Sequence, residues 1–185
     1  MSSGKEYART ETFADFGKNS NNENQTLQNI TKILFVKGKA MKVRIKKLDE
    51  RAVIPTYGTE YSAGADLYNM EGECVTVAPG ETVMIHTGLA VEIPEGYCGL
   101  VFARSGLASK RGLAPANKVG VVDSDYRGEC MVALHNHSDK PQTVDGGERI
   151  AQMVIVPFLK AEYVETDELS STDRGAGGFG STGTK

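Results

Sequence analysis

Ten positions near the C-terminus combine five glycines with one arginine, one phenylalanine and two hydroxyl residues, in RGAGGFGSTG at residues 174–183. Glycine N–H groups, together with the donors of Arg174, Ser181 and Thr182, can wrap a polyphosphate. Phe179 offers a flat face on which a base can stack. Because glycine makes such a segment too entropic to hold a helix or strand, we expect it to order only around its ligand.

A second stretch, NKVGVVDSDYRGE at residues 117–129, carries a carboxylate directly after an apolar run. It predicts a β-hairpin in which KVGVV leads up, Asp-Ser-Asp turns and YRGECMVAL returns. Asp123 would then stand at a strand end with restricted solvation, which suits a general base. Gly120 would let another group approach the backbone closely. An ordinary Asp-rich turn is the alternative.

Three further stretches have more functional groups than turns require. In ARSGLAS (103–109) an arginine, a hydroxyl and a glycine begin a helical turn, which suits an anion, although a capped turn with a solvated arginine fits equally. In AGADLY (63–68), Asp66 is either a turn-capping residue or a functional carboxylate. In GERIAQMVI (147–155), strand alternation puts Arg149 with Ala151 and Met153, and puts Gln152 on an otherwise apolar face, where it joins an internal network or meets a ligand.

Short strands are the elements that must position these groups. MKVRIKK alternates apolar and basic residues from Met41, as a half-buried strand does. Further β-rich runs are separated by turn clusters rich in Gly, Pro and Asp; they cover residues 74–77, 81–87, 89–93, 97–102, 118–122, 130–134, 149–156 and 161–164. We predict an all-β jelly roll, sandwich or barrel with one short helical segment near 104–112. No β-α-β alternation supports a Rossmann or P-loop fold.

Composition indicates an ordinary globular chain of 185 residues, with 39% hydrophobic and 24% charged residues. With 21 basic against 24 acidic residues, the net charge of −3 predicts no nucleic-acid partner. No apolar run approaches the ~20 residues that span a bilayer, so we expect no membrane contact. Three cysteines without a CxxC motif favour a reducing cytoplasm. His135 and His137 would share a strand face, but a polar turn explains them without a metal.

The chain divides into three segments by composition. Residues 1–40 are polar and low in complexity, so we expect a disordered extension or a leader. Residues 41–172 hold the strand-like runs and form the β domain. Residues 173–185 are the glycine-rich segment, which we expect to act as a flexible C-terminal arm and lid.

Taken in order, these five motifs resemble the trimeric dUTPase family, over roughly residues 42–183. The resemblance implies a β jelly roll of the β-clip type and a homotrimer with active sites at subunit interfaces, each closed by a neighbour's tail. It implies hydrolysis of dUTP to dUMP and pyrophosphate, which keeps uracil out of DNA and supplies dUMP for dTMP synthesis. It further implies Mg²⁺ as the cofactor, carried by the substrate phosphates and water and not bound directly by the protein.

The resemblance also assigns roles on the phosphate side. Asp123 would activate the water that attacks the α-phosphorus. Arg104, Ser105 and Gly106 would clamp the phosphates, with Ser105 stabilising charge as pyrophosphate leaves. Gln152 would touch phosphate or Mg²⁺-bound water.

On the nucleoside side, Asn117, Met131 and the backbone from Val121 through Val122 to Asp123 would bind the uracil edge. Tyr126 would lie beneath the deoxyribose and exclude a 2′-hydroxyl. The remaining assignments concern the tail and the first motif: Arg174 with Gly180, Ser181 and Thr182 on the γ-phosphate, Phe179 over uracil, and Asp66 as a site-organising carboxylate.

Other functions are compatible with parts of the sequence. A related dCTP deaminase would need a glutamate on the returning strand of the hairpin, where this chain has Ala133. A nucleotide-binding regulatory protein would not need both Asp123 and the tail. A structural jelly-roll module would leave Arg174 and Phe179 without a role.

Overall fold

Short antiparallel strands joined by turns make up almost all of the regular structure in residues 41–178, the range that the computed structural model describes. The extension at 1–40 and the tail residues Phe179, Gly180, Ser181 and Thr182 lie outside the described residues. Within the described range no helix has the length and apolar character that crossing a bilayer requires.

The elements follow one another closely along the chain. In order they are β1 (Arg44–Lys47), β2 (Thr56–Tyr57), β3 (Ala65–Tyr68), β4 (Val75–Val77), β5 (Thr82–Ile85), β6 (Leu89–Glu92), β7 (Tyr97–Ala103), α1 (Ser105–Arg111), β8 (Leu113–Pro115), β9 (Val119–Val122), β10 (Val132–Asn136), β11 (Gln142–Val144) and β12 (Arg149–Pro157).

The strands form a sandwich-type arrangement of open sheets. The largest has five strands in the order β2-β3-β12-β7-β9, and a second has three in the order β5-β10-β8. Two pairs, β1-β6 and β11-β4, complete the described sheets. The prediction of an all-β, jelly-roll-like fold with one short helix is confirmed. The described sheets are open and do not close into a barrel.

The core is built from alternate residues of several strands. Leu67 of β3, Ile85 of β5, Leu134 of β10 and Ile150 of β12 are all 1% exposed or less. Burying each such side chain contributes about 1.5–3 kcal/mol. The core therefore holds the five-stranded and three-stranded sheets against each other, and the site residues lie at strand ends and edges around it.

The predicted hairpin is not a paired hairpin. β9 pairs with β7 in the five-stranded sheet, whereas β10 pairs with β5 and β8 in the three-stranded one. Residues 123–131 connect the two strands. Near its end this connection is held to β6 by an isolated β-bridge between Glu129 and Ala90 and by a hydrogen bond from Cys130 N to Leu89 O (2.8 Å). These contacts carry the chain to the second sheet, and the two strands stand apart.

One predicted strand, at residues 161–164, is also absent. This segment has no strand assignment, and Tyr163 is 95% exposed. A lone run of β-formers needs a partner edge, and none meets it within the described part of this chain. The predicted helical turn is confirmed as α1, which runs from Ser105 to Arg111 and is followed by Gly112 in the left-handed conformation (φ 67°).

Candidate functional site

One pocket lies where β7 passes into α1. Its volume is about 480 Å³. The lining combines the turn before β3 with strand ends of the large sheet and the start of α1: Gly58, Ser62, Ala63, Gly64, Asp66, Phe102, Arg104, Ser105, Gly106, Arg149, Gln152 and Val154. It therefore collects residues of three of the motifs that the sequence singled out, and we call it the arginine pocket.

A buried carboxylate organises the arginine pocket. Asp66 is 7% exposed and accepts hydrogen bonds from Arg104 Nε (2.8 Å) and Arg149 Nη1 (3.2 Å). Arg104 Nη1 also donates to the Arg149 carbonyl (3.3 Å). Asp66 lies on β3, so the turn-capping alternative is wrong. Two guanidinium groups against one carboxylate leave the pocket with a net positive charge, which suits an oxyanion.

Arg149 lines this pocket although the sequence pattern did not predict a site role for it. Strict alternation placed it on the face opposite Gln152. The structure has a register shift between Arg149 and Ala151 where β12 pairs with β3. That irregularity buries Ile150 and Ala151 in succession and turns Arg149 toward Asp66. A bulge of this kind has no signature in the local sequence.

Gln152 is held by an internal hydrogen bond and also lines the arginine pocket. Its Nε2 donates to the Ala103 carbonyl (3.0 Å). A Cβ at Gly64 would stand 2.4 Å from Gln152 Oε1, so only glycine leaves the amide this position. Ser105 and Gly106 are exposed at the mouth of the same pocket.

Another pocket fills the space between β9 and β10, which do not pair with each other. Its volume is about 270 Å³, and we call it the hairpin pocket. Its lining is Met84, Val101, Pro115, Asn117, Gly120, Val121, Val122, Asp123, Tyr126, Glu129, Cys130, Met131, Val132 and Ala133. The predicted base-binding residues thus surround one cavity.

Glycines shape the hairpin pocket at two places. A Cβ at Gly120 would lie 3.3 Å from both Asn117 Nδ2 and Val101 Cβ, so the bare backbone gives the Asn117 amide its room. A Cβ at Gly128 would lie 2.4 Å from the Tyr126 hydroxyl. That hydroxyl donates to the Glu129 carbonyl (3.0 Å), which folds the ring back over its own loop.

Asp123 lines the hairpin pocket immediately after β9. Its side chain is exposed, so the restricted solvation predicted for it is wrong for the single chain. The reason is that β9 is the edge strand of the five-stranded sheet, and nothing described in this chain covers its outer side.

The two pockets open on opposite faces of the large sheet. Residues paired across antiparallel strands share a face. Gln152 of β12 pairs with Phe102 of β7, whereas Gly120 of β9 pairs with Val101, the next residue of β7. Since successive strand residues point to opposite sides, the arginine pocket and the hairpin pocket of one chain lie on opposite sides of this sheet.

The described residues contain no group of three or more His, Cys, Asp or Glu side chains that could hold a metal ion. His135 and His137 have ring centroids 4.3 Å apart, and His135 Nδ1 is bonded to Thr82 Oγ1 (2.8 Å). The three cysteines are free; Cys74 is exposed, and burial raises the pKa of Cys130 to about 11.

Comparison with protein families gives a match to the dUTPase family model over residues 50–183. A protein of Hydrogenobaculum sp., named deoxyuridine 5'-triphosphate nucleotidohydrolase, is 52% identical over 145 residues, covering 78% of this chain and 100% of its own. A protein of the same name from Acinetobacter baylyi is 45% identical over 150 residues, with coverage of 78% and 100%.

Solved structures resemble this one over the same region. The dUTPase of Staphylococcus bacteriophage 80alpha, solved with dUpNHpp, has a TM-score of 0.71 at 31% identity, covering 78% of this chain and 99% of its own. A mutant dUTPase of phage phi11 of S. aureus, described with a structural Mg(II) ion, has a TM-score of 0.62 at 28% identity, with coverage of 69% and 98%.

Proposed function

Because the chain belongs to the dUTPase family, we propose that it hydrolyses dUTP to dUMP and pyrophosphate. The observation that carries the proposal is the pairing of an arginine-lined pocket with a second pocket of amide and backbone groups. One suits a polyphosphate and the other a base edge. The reaction would keep uracil out of DNA and supply dUMP for dTMP synthesis.

The arginine pocket would hold the phosphates. Arg104, Ser105 and Gly106 form its mouth and Gln152 its floor, so these four would bind the triphosphate. Asp66 would act through Arg104, since the carboxylate is buried beneath the guanidinium and fixes its orientation. Arg104 binds Oδ1 of Asp66 and Arg149 binds Oδ2, so neither carboxylate oxygen is left free for the ligand.

The hairpin pocket would hold the nucleoside. The Asn117 amide and the backbone from Val121 to Asp123 line it, with Met131 opposite, and these would pair with the uracil edge. Cytosine presents the reversed donor and acceptor pattern, and such a mismatch is rejected by ~10⁴-fold or more. The close approach of Val101 and Asn117 at Gly120 leaves little room for the methyl group of thymine.

Asp123 would supply the general base. It would accept a proton from a water whose oxygen forms a bond to the α-phosphorus. The bond from that phosphorus to the oxygen bridging the β-phosphorus breaks, and the electron pair leaves with pyrophosphate. Ser105 would stabilise the charge that develops on this leaving group.

Mg²⁺ would arrive on the substrate. The arginine pocket is cationic and Asp66, the carboxylate in its lining, already binds two arginines, so its donors fit phosphate oxygens better than a bare divalent ion. When bound to the triphosphate, the ion neutralises phosphate charge. Gln152 would be the side chain nearest to its water shell.

We propose a homotrimer whose sites combine the hairpin pocket of one chain with the arginine pocket of another. The placement of the two pockets on opposite faces supports this. So do four apolar side chains that are exposed in the single chain, Leu159, Tyr163, Val164 and Leu169. The tail, with Arg174 and residues 179–182, would close over the bound nucleotide. The free cysteines support the expectation of a reducing cytoplasm.

Pyrophosphate release from dUTP, dCTP, dTTP and UTP in parallel, with Mg²⁺, tests the function. We expect release from dUTP with at least ~10⁴-fold preference over dCTP. Ammonia from dCTP would place the protein with the deaminases instead. The sequence argues against that outcome, since the resemblance places Ala133 where a deaminase would need a glutamate. The nearby Glu129 is hydrogen-bonded to His86 and to the Gly88 N–H.

Mixing two inactive variants tests the assembly. Asp123→Asn damages only the hairpin pocket and Arg104→Ala only the arginine pocket, so each alone should be nearly inactive. When equal amounts are unfolded and refolded together, about a quarter of the sites should combine two intact pockets from different chains. Activity should reappear at that level. If the mixture stays as inactive as its parents, each site belongs to one chain and the proposed assembly is wrong.

A further inference from the structure

The loop at residues 123–131 has a side-chain anchor that the proposed reaction does not use. Glu129 Oε2 lies 2.9 Å from His86 Nδ1, and Glu129 Oε1 accepts the Gly88 N–H at 2.7 Å. Both carboxylate oxygens are thereby bound to the segment that follows β5. The Glu129 side chain is 20% exposed and that of His86 is 44% exposed.

This anchor is coupled to the ring of Tyr126 through the backbone. The Tyr126 hydroxyl donates to the carbonyl of Glu129 itself (3.0 Å), so the residue that binds His86 also holds the ring. Gly128 provides the space that the hydroxyl needs. A displacement of Glu129 would therefore move the hydrogen-bond acceptor of Tyr126.

Glu129 is an ionised acceptor at neutral pH. Burial by itself would raise the pKa of its carboxyl group, but the hydrogen bonds from His86 and the Gly88 N–H outweigh burial and hold that pKa below its usual value. The neighbouring Arg127 does not compete for this carboxylate; its guanidinium donates to the carbonyls of Ser124 and Tyr126 and lies near Glu92.

We propose that His86 and Glu129 are a positioning pair that fixes the Tyr126 ring and thereby sets the discrimination between deoxyribose and ribose triphosphates. The inference rests on the proposed function, in which Tyr126 lies beneath the sugar. A ring held from its own loop excludes a 2′-hydroxyl only if that loop is fixed, because a small outward shift of the ring would admit the extra oxygen.

The test measures kcat/KM for dUTP and for UTP in the full-length protein. His86→Leu removes the bond to Glu129, and we expect the ratio of the two kcat/KM values to fall about fivefold, as loss of one ordinary hydrogen bond would give. The fall should come from faster UTP turnover. His86→Asn restores a donor near the Nδ1 position and should restore most of the ratio.

His135→Leu is the matched control. It also removes a histidine Nδ1 bond, to Thr82 at the far end of β5, and His135 does not line either pocket. The ratio of kcat/KM for dUTP to kcat/KM for UTP should be the same in His135→Leu as in the wild type. Glu129→Gln keeps an acceptor for the Gly88 N–H and serves as a second variant if His86→Leu folds poorly. The ratio of its kcat/KM for dUTP to its kcat/KM for UTP should also fall.

An unchanged ratio in His86→Leu and Glu129→Gln would overturn the inference while leaving the proposed function intact. An equal fall in His135→Leu would also overturn it, because the effect would then be general loosening. A wild-type protein that does not turn over dUTP would instead refute the proposed function. The same kinetic assay measures this rate.

Discussion

Replacing Asp123 with asparagine should lower the rate of dUTP hydrolysis by about 10³-fold, within the range that general-base catalysis supplies. Asparagine keeps the size of the side chain but cannot accept a proton from water. Because Asp123 is exposed and follows an edge strand, the substitution removes no core packing, and the thermal midpoint should stay the same. Affinity for dUMP should stay close to that of the wild type.

The matched control is Asp125→Asn, two positions along the same loop. Asp125 is an exposed carboxylate that does not line the hairpin pocket. Single-turnover measurements on both variants separate chemistry from product release. A rate for Asp123→Asn within a few-fold of the wild type would remove Asp123 from the role of base, and a comparable loss in Asp125→Asn would point to loop charge as the cause.

Ending the chain after Asp173 should reduce turnover by about 10²-fold or more while leaving the assembly intact. The deletion removes Arg174, Phe179 and the hydroxyls proposed to bind the γ-phosphate and cover the base, and interactions of this kind supply that much transition-state stabilisation. The described part of the segment makes only local hydrogen bonds: Arg174 Nε donates to Gly177 O (2.8 Å) within it, and Gly175 N donates to O of Thr172 (3.0 Å), which directly precedes it. Its loss should therefore leave the core unchanged.

A second truncation controls for chain length. A chain ending after Thr182 loses three residues but keeps every tail residue that we assign to the ligand, so its turnover should match the wild type. Steady-state hydrolysis and light scattering would be measured on both. Full activity in the chain ending at Asp173 would disprove the lid.

Periodicity and turn signals predicted the longest strands correctly, since the runs at 97–102 and 149–156 form β7 and β12. Within β12 the alternation that separates Met153 from Gln152 also holds, because Met153 is 5% exposed and Gln152 lines the arginine pocket. Alternation failed at the start of β12, because the register shift next to Arg149 depends on the pairing with β3. Arg149 was missed for that reason.

Pairing between distant strands was the other limit. The run 118–122 and the run 130–134 were both correct as strands, but which strands they join depends on contacts such as Cys130 N to Leu89 O. The prediction of a hairpin rested on the proximity of the two runs in the sequence alone. The same error placed Asp123 in a shielded position that the open edge of β9 does not provide.

The candidate site was predictable as a set of residues and not as an arrangement. Arg104, Gln152 and Asp66 do meet in one pocket, and Asn117, Asp123 and Tyr126 meet in another. That these two pockets face away from each other follows from the one-residue offset between Phe102 and Val101 along β7, which no motif encodes.

The opposed pockets have a consequence for inheritance. In the proposed assembly each chain contributes its hairpin pocket to one site and its arginine pocket to another. A chain that is defective in both pockets therefore inactivates two sites and not one. A cell carrying one normal and one such gene copy would lose more than half of its activity, and the defect would behave as dominant. Two copies with damage in different pockets would complement each other and restore part of the activity.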